Sequence, residues 1–347
     1  MTAQLVPLKP SPFNAESAIP ILDAAVTPAP SFYVRSNFAV PDVDPAAFRL
    51  RVEGAVTTPL ELSLDELKAL GPRTIATVME CAGNNRLQLA PLPSGEPWHA
   101  GAVSAGEWTG VPLRPVLERA GLKSNVIEVL FEGTDHGKPK DGPGDIPFAR
   151  SLPLEKALHE DTLLVYALNV EPLPRDHGAP LRVLVPQWYG MASVKWLNRI
   201  EAITEPFTGY YQKNRYVYAP AGGAAPTPVT TMRVKSLIVT PDEGATIPQG
   251  PYVVRGKAWS GEGEIVRVEV AVDGGDDWRD ATLLPAAGAG PYIWRTWEYQ
   301  WTADVAGRRA LRSRATDSRG NVQPEAPTWN KYGYGNNAVR PVIFTVA

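Results

Sequence analysis

Cys81 is the only cysteine in 347 residues, and it stands in the stretch "VMECAGNNR" (78–86) between Glu80 and a run of small, turn-forming residues. A lone thiol in that setting admits three chemistries: a buried structural sulfur, a nucleophile, or a metal ligand. A nucleophile needs a base, and spacing leaves His177 and His136 open for that part. A zinc site needs three or four ligands, usually in close-spaced pairs, which one Cys and four scattered histidines (His99, His136, His159, His177) do not provide. Cysteine-ligated iron–sulfur clusters and c-type haem need several cysteines and are excluded, so no inbuilt haem of that kind is expected. The flanks favour a large bound ligand. "CAGNNR" is short of side-chain bulk, so its backbone admits close approach, and Arg86 follows to offer a cation. A second segment, "EPLPRDHGAPLRVLVPQWYGMASVKWL" (171–197), sets Arg175, His177, Arg182 and Lys195 between Pro- and Gly-controlled turns. Singly, each reads as a solvated loop charge. Together, cations on rigid loops preceding a core strand suit a phosphate-bearing ligand, because Arg and Lys make charge-assisted hydrogen bonds to phosphate.

Elements must hold these residues in place. The length allows two domains, and a 44% apolar content is that of an ordinary globular chain. Residues 219–231, "APAGGAAPTPVTT", lack periodicity and have linker composition, so the domain seam is placed there. Before it, strand-like runs "FRLRVEGAV" (48–56) and "LRVLVP" (181–186) alternate with brief helices, a mixed α+β pattern. Ser63 and Glu66 have capping-box spacing with Gly71 as the stop, and "PLRPVLERAG" ends at Gly121; both helices read as peripheral. After the seam, Val266, Val268, Val270 and Val272 alternate with polar residues and run into Asp273-Gly274-Gly275, a tight-turn signal. Further strands at "GPYVVRGKAW", "RRALRSRATD" and "RPVIFTV" predict an all-β immunoglobulin-like sandwich over 232–347. The net charge of −3 and pI near 5.9 argue against a nucleic-acid partner or an anionic membrane surface. No apolar run approaches the roughly 20 residues of a membrane span. The opening residues lack a basic n-region with an apolar core and lack a twin arginine, so the chain as given is expected to be cytoplasmic, or periplasmic where a leader has been removed.

At these residues the sequence resembles the sulfite oxidase family of molybdenum enzymes. The resemblance rests on ordered blocks: "SFYVRSNFAVP" (31–41), "MECAGNNR" (79–86), "EWTGVPLRPVL" (107–117), "FEGTD" (131–135), "PLPRDHGAPLRVLVP" (172–186), "ASVKWL" (192–197) and "WNKYGYGNNA" (329–338). It implies an N-terminal extension (1–30), a molybdenum cofactor domain (31–220) and an immunoglobulin-like dimerisation domain (232–347), hence a homodimer. It makes Cys81 the protein ligand to the metal. It implies cofactor binding by Tyr33, Val34, Arg35, Ser36 and Asn37, by Asp135, by His177 and Arg182, and by Ser193, Val194 and Lys195. Arg35 and Arg86 match the arginines near the substrate anion.

The reaction implied is oxidation of sulfite to sulfate at a Cys-ligated molybdopterin centre, with electrons leaving to a separate acceptor such as a cytochrome c or oxygen. Two departures stand out. Where a catalytic tyrosine is expected, "EPFTGYYQ" places Phe207 in the best-aligned position, and Tyr210 or Tyr211 substitutes only by a local shift. In "WNKYGYG" a third anion-pocket arginine is replaced by Tyr332, with Lys331 adjacent to restore a charge. Trp98 is a candidate for a pocket wall, although a large aromatic is more often core. Alternative readings are a related molybdenum oxotransferase reducing a sulfoxide or another oxygenated substrate, and a non-catalytic binding protein built on the sandwich.

Overall fold

The structure, a computed structural model, describes residues 5–219, 223, 225–285 and 290–347. A hairpin opens it, β1 (Leu5–Pro10) and β2 (Phe13–Ser17). Ten strands then build two sheets: β3 (Leu50–Gly54), β4 (Leu60–Leu62), β5 (Arg73–Glu80), β6 (Val103–Pro112), β7 (Glu128–Gly137), β8 (Ile146–Pro153), β9 (Leu163–Leu168), β10 (Glu171–Pro172), β11 (Arg182–Leu184) and β12 (Leu197–Ile203). One sheet has the order β4-β3-β12-β7-β8, with β12 and β3 parallel. The other runs β10-β9-β6-β5, with β11 paired to β9. The main core lies among them, with Leu50, Val52, Val103, Val129, Phe131, Leu164, Val183 and Ile200 buried.

Local sequence explains the helices. Ser63 Oγ accepts from the Glu66 N–H at 3.2 Å while the Glu66 carboxylate accepts from the Ser63 N–H at 2.8 Å, so both arms of the capping box form ahead of α1 (Leu64–Lys68). In α2 (Leu113–Ala120), Leu113, Val116, Leu117 and Ala120 form an i, i+3, i+4, i+7 stripe that is buried, and Gly121 ends the helix in the left-handed region at φ 71°. α2 is thus part of the main core and not only peripheral. Among the described residues only α3 (Leu154–Ala157) and α4 (Tyr210–Lys213) join them, so strands dominate and the expected α+β balance is not found. The reason is length: short segments between prolines fall below what an isolated helix needs, and only a packed stripe like that of α2 sustains a second turn.

The short strands β13 (Val217–Tyr218) and β14 (Thr227–Pro228) pair across the expected seam, of which residues 220–222 and 224 lie outside the described residues. Nine strands follow: β15 (Lys235–Thr240), β16 (Thr246–Ile247), β17 (Gly250–Trp259), β18 (Ile265–Val272), β19 (Arg279–Asp280), β20 (Thr282–Leu283), β21 (Arg295–Ala303), β22 (Gly307–Asp317) and β23 (Val342–Val346). They form two sheets, β15-β17-β21-β20 and β16-β23-β22-β18-β19, facing each other across Val254, Val268, Val270, Trp297, Leu311 and Phe344. The alternation read into β18 breaks at its start. A register shift between Ile265 and Arg267 turns Val266 outward, 55% exposed, as a bulge does. Asp273 and Gly274 have φ of 54° and 73°, and the Gly275 N–H donates to the Val272 carbonyl at 3.3 Å, the turn expected there.

The N-terminal segment ties the two halves together. Lys257 Nζ donates to the Asp23 carbonyl at 2.8 Å, Trp294 Nε1 to the Ala25 carbonyl at 3.0 Å, and the Thr27 N–H to the Ala105 carbonyl at 2.8 Å.

Candidate active site

The end of β5, the segment before β3, the end of β7 and the loops around β11 converge on a cavity of about 60 Å³. In a strand, successive side chains point to opposite faces, so Met79 and Cys81 face the cavity while Glu80 faces away. Beyond Cys81 the chain turns at once. The Cys81 N–H donates to the Ala102 carbonyl and the Cys81 carbonyl accepts from the Asn84 N–H, both at 2.9 Å, and Asn85 takes the left-handed region at φ 64° that Asn tolerates.

Of the expected site residues, Tyr33, Arg35, Ser36, Asn37, Cys81, Asp135, His177, Arg182, Ser193 and Lys195 line this cavity. Val34 and Val194 do not. Val34 exchanges backbone hydrogen bonds with Ala15 at 2.8 and 3.0 Å, and Val194 is buried in the main core with its carbonyl accepting from the Val183 N–H at 3.0 Å. They hold the flanking backbone. Arg175 lies at the surface, donating to the carbonyls of Val40 and Pro41.

Arg86 stands apart from the cavity lining. It is 3% exposed yet does not line the cavity; Nε donates to the Tyr332 carbonyl at 2.9 Å, another donor reaches the Glu96 carbonyl, and the guanidinium lies 5.5 Å from the Tyr334 ring centre. The space exists because position 83 is glycine, where a Cβ would stand 2.3 Å from Arg86 Nη2. Two carbonyls and an aromatic face hold the guanidinium in place there. Lys331 is exposed and does not restore a charge to the cavity, and Trp98, fully buried among Phe32, Tyr33 and Cys81, is core.

Phe207, Tyr210 and Tyr211 line a separate surface groove. Of the tyrosines at 210–218, the one that lines the cavity is Tyr216. Its hydroxyl accepts from Asn37 Nδ2 at 3.3 Å, its ring stacks on Tyr334 at 5.2 Å between centres, and its φ is 52°, a conformation a bulky residue adopts only when its surroundings impose it. Sequence reasoning missed it because four tyrosines crowd residues 210–218 and no spacing distinguishes them. Met79, Phe148, Met191 and Trp196 were missed likewise, since apolar residues on strands and buried turns read as core.

The electrostatics are those of a site awaiting an anion. Arg182 Nη1 donates to the His177 carbonyl at 3.0 Å and Nη2 to the Ser193 carbonyl at 2.8 Å; Nε is buried without a partner. Burial holds its pKa down at about 10, which leaves it charged at neutral pH. Lys195 Nζ donates to Ser36 Oγ at 2.9 Å and the Asp176 carbonyl at 2.8 Å, and burial, then the Arg182 charge, lowers its pKa. Burial, with Lys195 and Arg182 nearby, pushes His177 down to about 3, so its imidazole is neutral, its ring hydrogen-bonded to the Ala29 carbonyl. Burial raises Asp135, whose Oδ1 is unpartnered, and raises the Cys81 thiol against the pull of Arg35 and Arg86. Orphaned buried donors and acceptors call for a ligand that supplies their partners. A phosphate-bearing, polar-ringed cofactor fits this set, and a metal cation at Cys81 would displace the thiol proton.

The comparisons with known proteins agree in kind. A family model described as the oxidoreductase molybdopterin binding domain matches residues 37–211, and one described as the Mo-co oxidoreductase dimerisation domain matches 227–345. Sulfite oxidase of Gallus gallus is 37% identical over 344 residues, covering 93% of this chain and 74% of its own. The mitochondrial sulfite oxidase of Homo sapiens is 35% identical over 350 residues, and this chain spans 94% of itself but 63% of that protein. Among solved structures, the sulfane dehydrogenase SoxCD from Paracoccus pantotrophus superposes with a TM-score of 0.86 at 28% identity, covering 96% of this chain and 85% of that one.

Proposed function

The chain belongs to the sulfite oxidase family and is a molybdopterin-dependent oxidoreductase; on that footing we propose that it oxidises sulfite to sulfate. The observation that supports this most is the cavity itself, where one thiol, an arginine at the rim and buried cations without acid partners share a space. Sulfite and water give sulfate, two protons and two electrons, and the electrons pass to a separate acceptor, a cytochrome c or oxygen.

When bound, the molybdenum cofactor supplies the two-electron redox chemistry at Cys81. The protein's part is to bind and orient. Arg182, Lys195 and Ser36 are assigned to the phosphate end, where charge-assisted hydrogen bonds satisfy donors left open in the cavity. His177, Asn37, Ser193 and Asp135 are assigned to the polar rings. Neutral His177 serves there as a hydrogen-bonding ring and not as a cation. Arg35, half-buried with Nη2 on Asn37 Oδ1 at 2.7 Å, is assigned to the substrate anion. The Tyr216 hydroxyl, hydrogen-bonded to Asn37, takes the tyrosine's place beside it. Arg86 acts on Cys81 through its field, from behind the cavity wall. The cofactor domain is assigned to 31–220 and an immunoglobulin-like, homodimer-forming domain to 232–347; the two facing, mostly antiparallel sheets of the latter support the assignment.

Elemental analysis of the purified protein, joined to a sulfite-dependent ferricyanide assay, tests metal and substrate together. One molybdenum per chain with sulfite-driven reduction is expected; a metal-free folded protein, or a loaded one inert to sulfite, overturns the proposal. Arg35→Gln is expected to raise KM for sulfite about tenfold with an unchanged melting temperature, as loss of a charged ground-state contact does.

A further inference from the structure

Glu80 stands beside the proposed metal ligand and is 1% exposed, so its environment has to account for a buried charge. Three donors converge on it. Lys235 Nζ lies 2.6 Å from Oε1, Asn84 Nδ2 3.0 Å from the same oxygen, and Trp259 Nε1 2.9 Å from Oε2. Asn84 belongs to the turn after Cys81. Lys235 and Trp259 belong to the second domain, where they face each other across β15 and β17, and Lys235 is itself 3% exposed.

A buried ion pair is a poor device for stability, since well-packed apolar residues of the same volume often serve as well or better. Its attested use is to specify one arrangement. The other contacts to this stretch point the same way. From the second domain, the Gly335 N–H donates to the Ala82 carbonyl at 2.7 Å, Asn336 Nδ2 to the Asn85 carbonyl at 2.8 Å, and the Tyr332 carbonyl accepts from Arg86. The residue before Cys81 and several after it are therefore held from across the seam, while the peptide of Cys81 itself is held within the first domain at Ala102.

We infer that the Glu80–Lys235–Trp259 cluster is a positioning device through which the second domain sets the direction from which the Cys81 thiol enters the cavity. The second domain then completes the metal site in addition to any part it has in dimerisation. This rests on the reading of Cys81 as the molybdenum ligand.

The single cysteine makes the test a one-site measurement. Lys235→Met and Glu80→Gln are compared with Val268→Ala, which removes bulk from the second domain's core away from the seam. In the full chain produced without cofactor, and at a temperature where circular dichroism shows every variant folded, iodoacetamide is expected to alkylate Cys81 about tenfold faster in the two seam variants. Val268→Ala should stay within about twofold of the parent protein, because loss of a buried pair loosens its own locality most. In the loaded protein the thiolate-to-metal absorption band should shift or broaden in the same two variants alone. Alkylation and absorption in the seam variants equal to those of Val268→Ala would overturn the inference. Should Lys235→Met fail to fold, Glu80→Gln decides, since its amide oxygen can still accept from Trp259 or Asn84. Parent protein that never takes up molybdenum would sink the reading of Cys81, whereas the alkylation rates would still decide whether the second domain positions the thiol.

Discussion

The charged face of the second domain and the cavity of the first use the same side chains to opposite ends. On β18 and β22, Arg314 meets Glu269 through Nε and Nη2 at 2.8 and 3.1 Å, and Arg267 reaches Glu269 at 3.1 Å and Asp280 at 2.6 Å. Each arginine finds an acid. In the cavity, Arg182 donates to two carbonyls and the Met79 sulfur and Lys195 to a carbonyl and a hydroxyl, and among the described residues neither forms an ion pair with an acid. Charge that is matched inside the protein supports the fold, and charge left unmatched in a buried space is available to a ligand. The difference is a physical marker of a binding site that does not depend on resemblance.

The sharpest way to break this contrast is Cys81→Ser. Turnover should fall below about one-hundredth and molybdenum content should drop, since a hydroxyl is a poor substitute for thiolate at a soft metal site, while thermal unfolding stays nearly unchanged. Next in size, Trp297→Ala, in the second domain's core, should cost about 3–5 kcal/mol in denaturant unfolding. Its cofactor-loaded, still folded fraction should keep normal sulfite kinetics; altered kinetics would blur the two regions into one. Arg182→Met is expected to lower cofactor retention about 10–100-fold. In the cofactor-free chain the same change should be neutral or mildly stabilising, because a buried cation without an acid partner is removed; a large loss of cofactor-free stability would break the comparison.

The smallest effect concerns Glu16, a buried carboxyl that accepts from the His99 and Gly101 N–H groups at 3.1 and 3.2 Å. Burial pushes its pKa up to about 7 from an ordinary 4.5. Between those values the folded chain holds a proton that the unfolded chain has lost, so this group's contribution to stability declines as pH rises from 4.5 to 7 and is level above. Glu16→Gln should flatten the profile in that window and raise stability at pH 8 relative to the parent by on the order of 1 kcal/mol. An identical slope in both proteins would mean that Glu16 is ionised throughout.

Much of the site was legible in the sequence. Cys81 stood out by being alone, and Arg182 and Lys195 by lying on Pro- and Gly-bounded loops; all three line the cavity. The capping box at Ser63, the stop at Gly121 and the turn at Asp273-Gly274 formed as read, because each is settled by hydrogen bonds within a few residues. The misses have the opposite character. Val266 was assigned inward by alternation, but a bulge is a property of the strand pair. Likewise Arg86 is held by the carbonyl of Tyr332, 246 residues away, a contact no local pattern announces.

By itself the sequence determined that one thiol, a set of cations and two domains' worth of core were present, along with the turns and caps that shape the chain locally, since these depend on residue type and short spacing. Only the tertiary structure decided which tyrosine of 210–218 enters the cavity, that Arg86 is engaged behind its wall, and that Glu80 meets Lys235 across 155 residues of chain. Such pairings are set by how sheets stack and which side chains are buried together, and no periodicity within a strand carries that information.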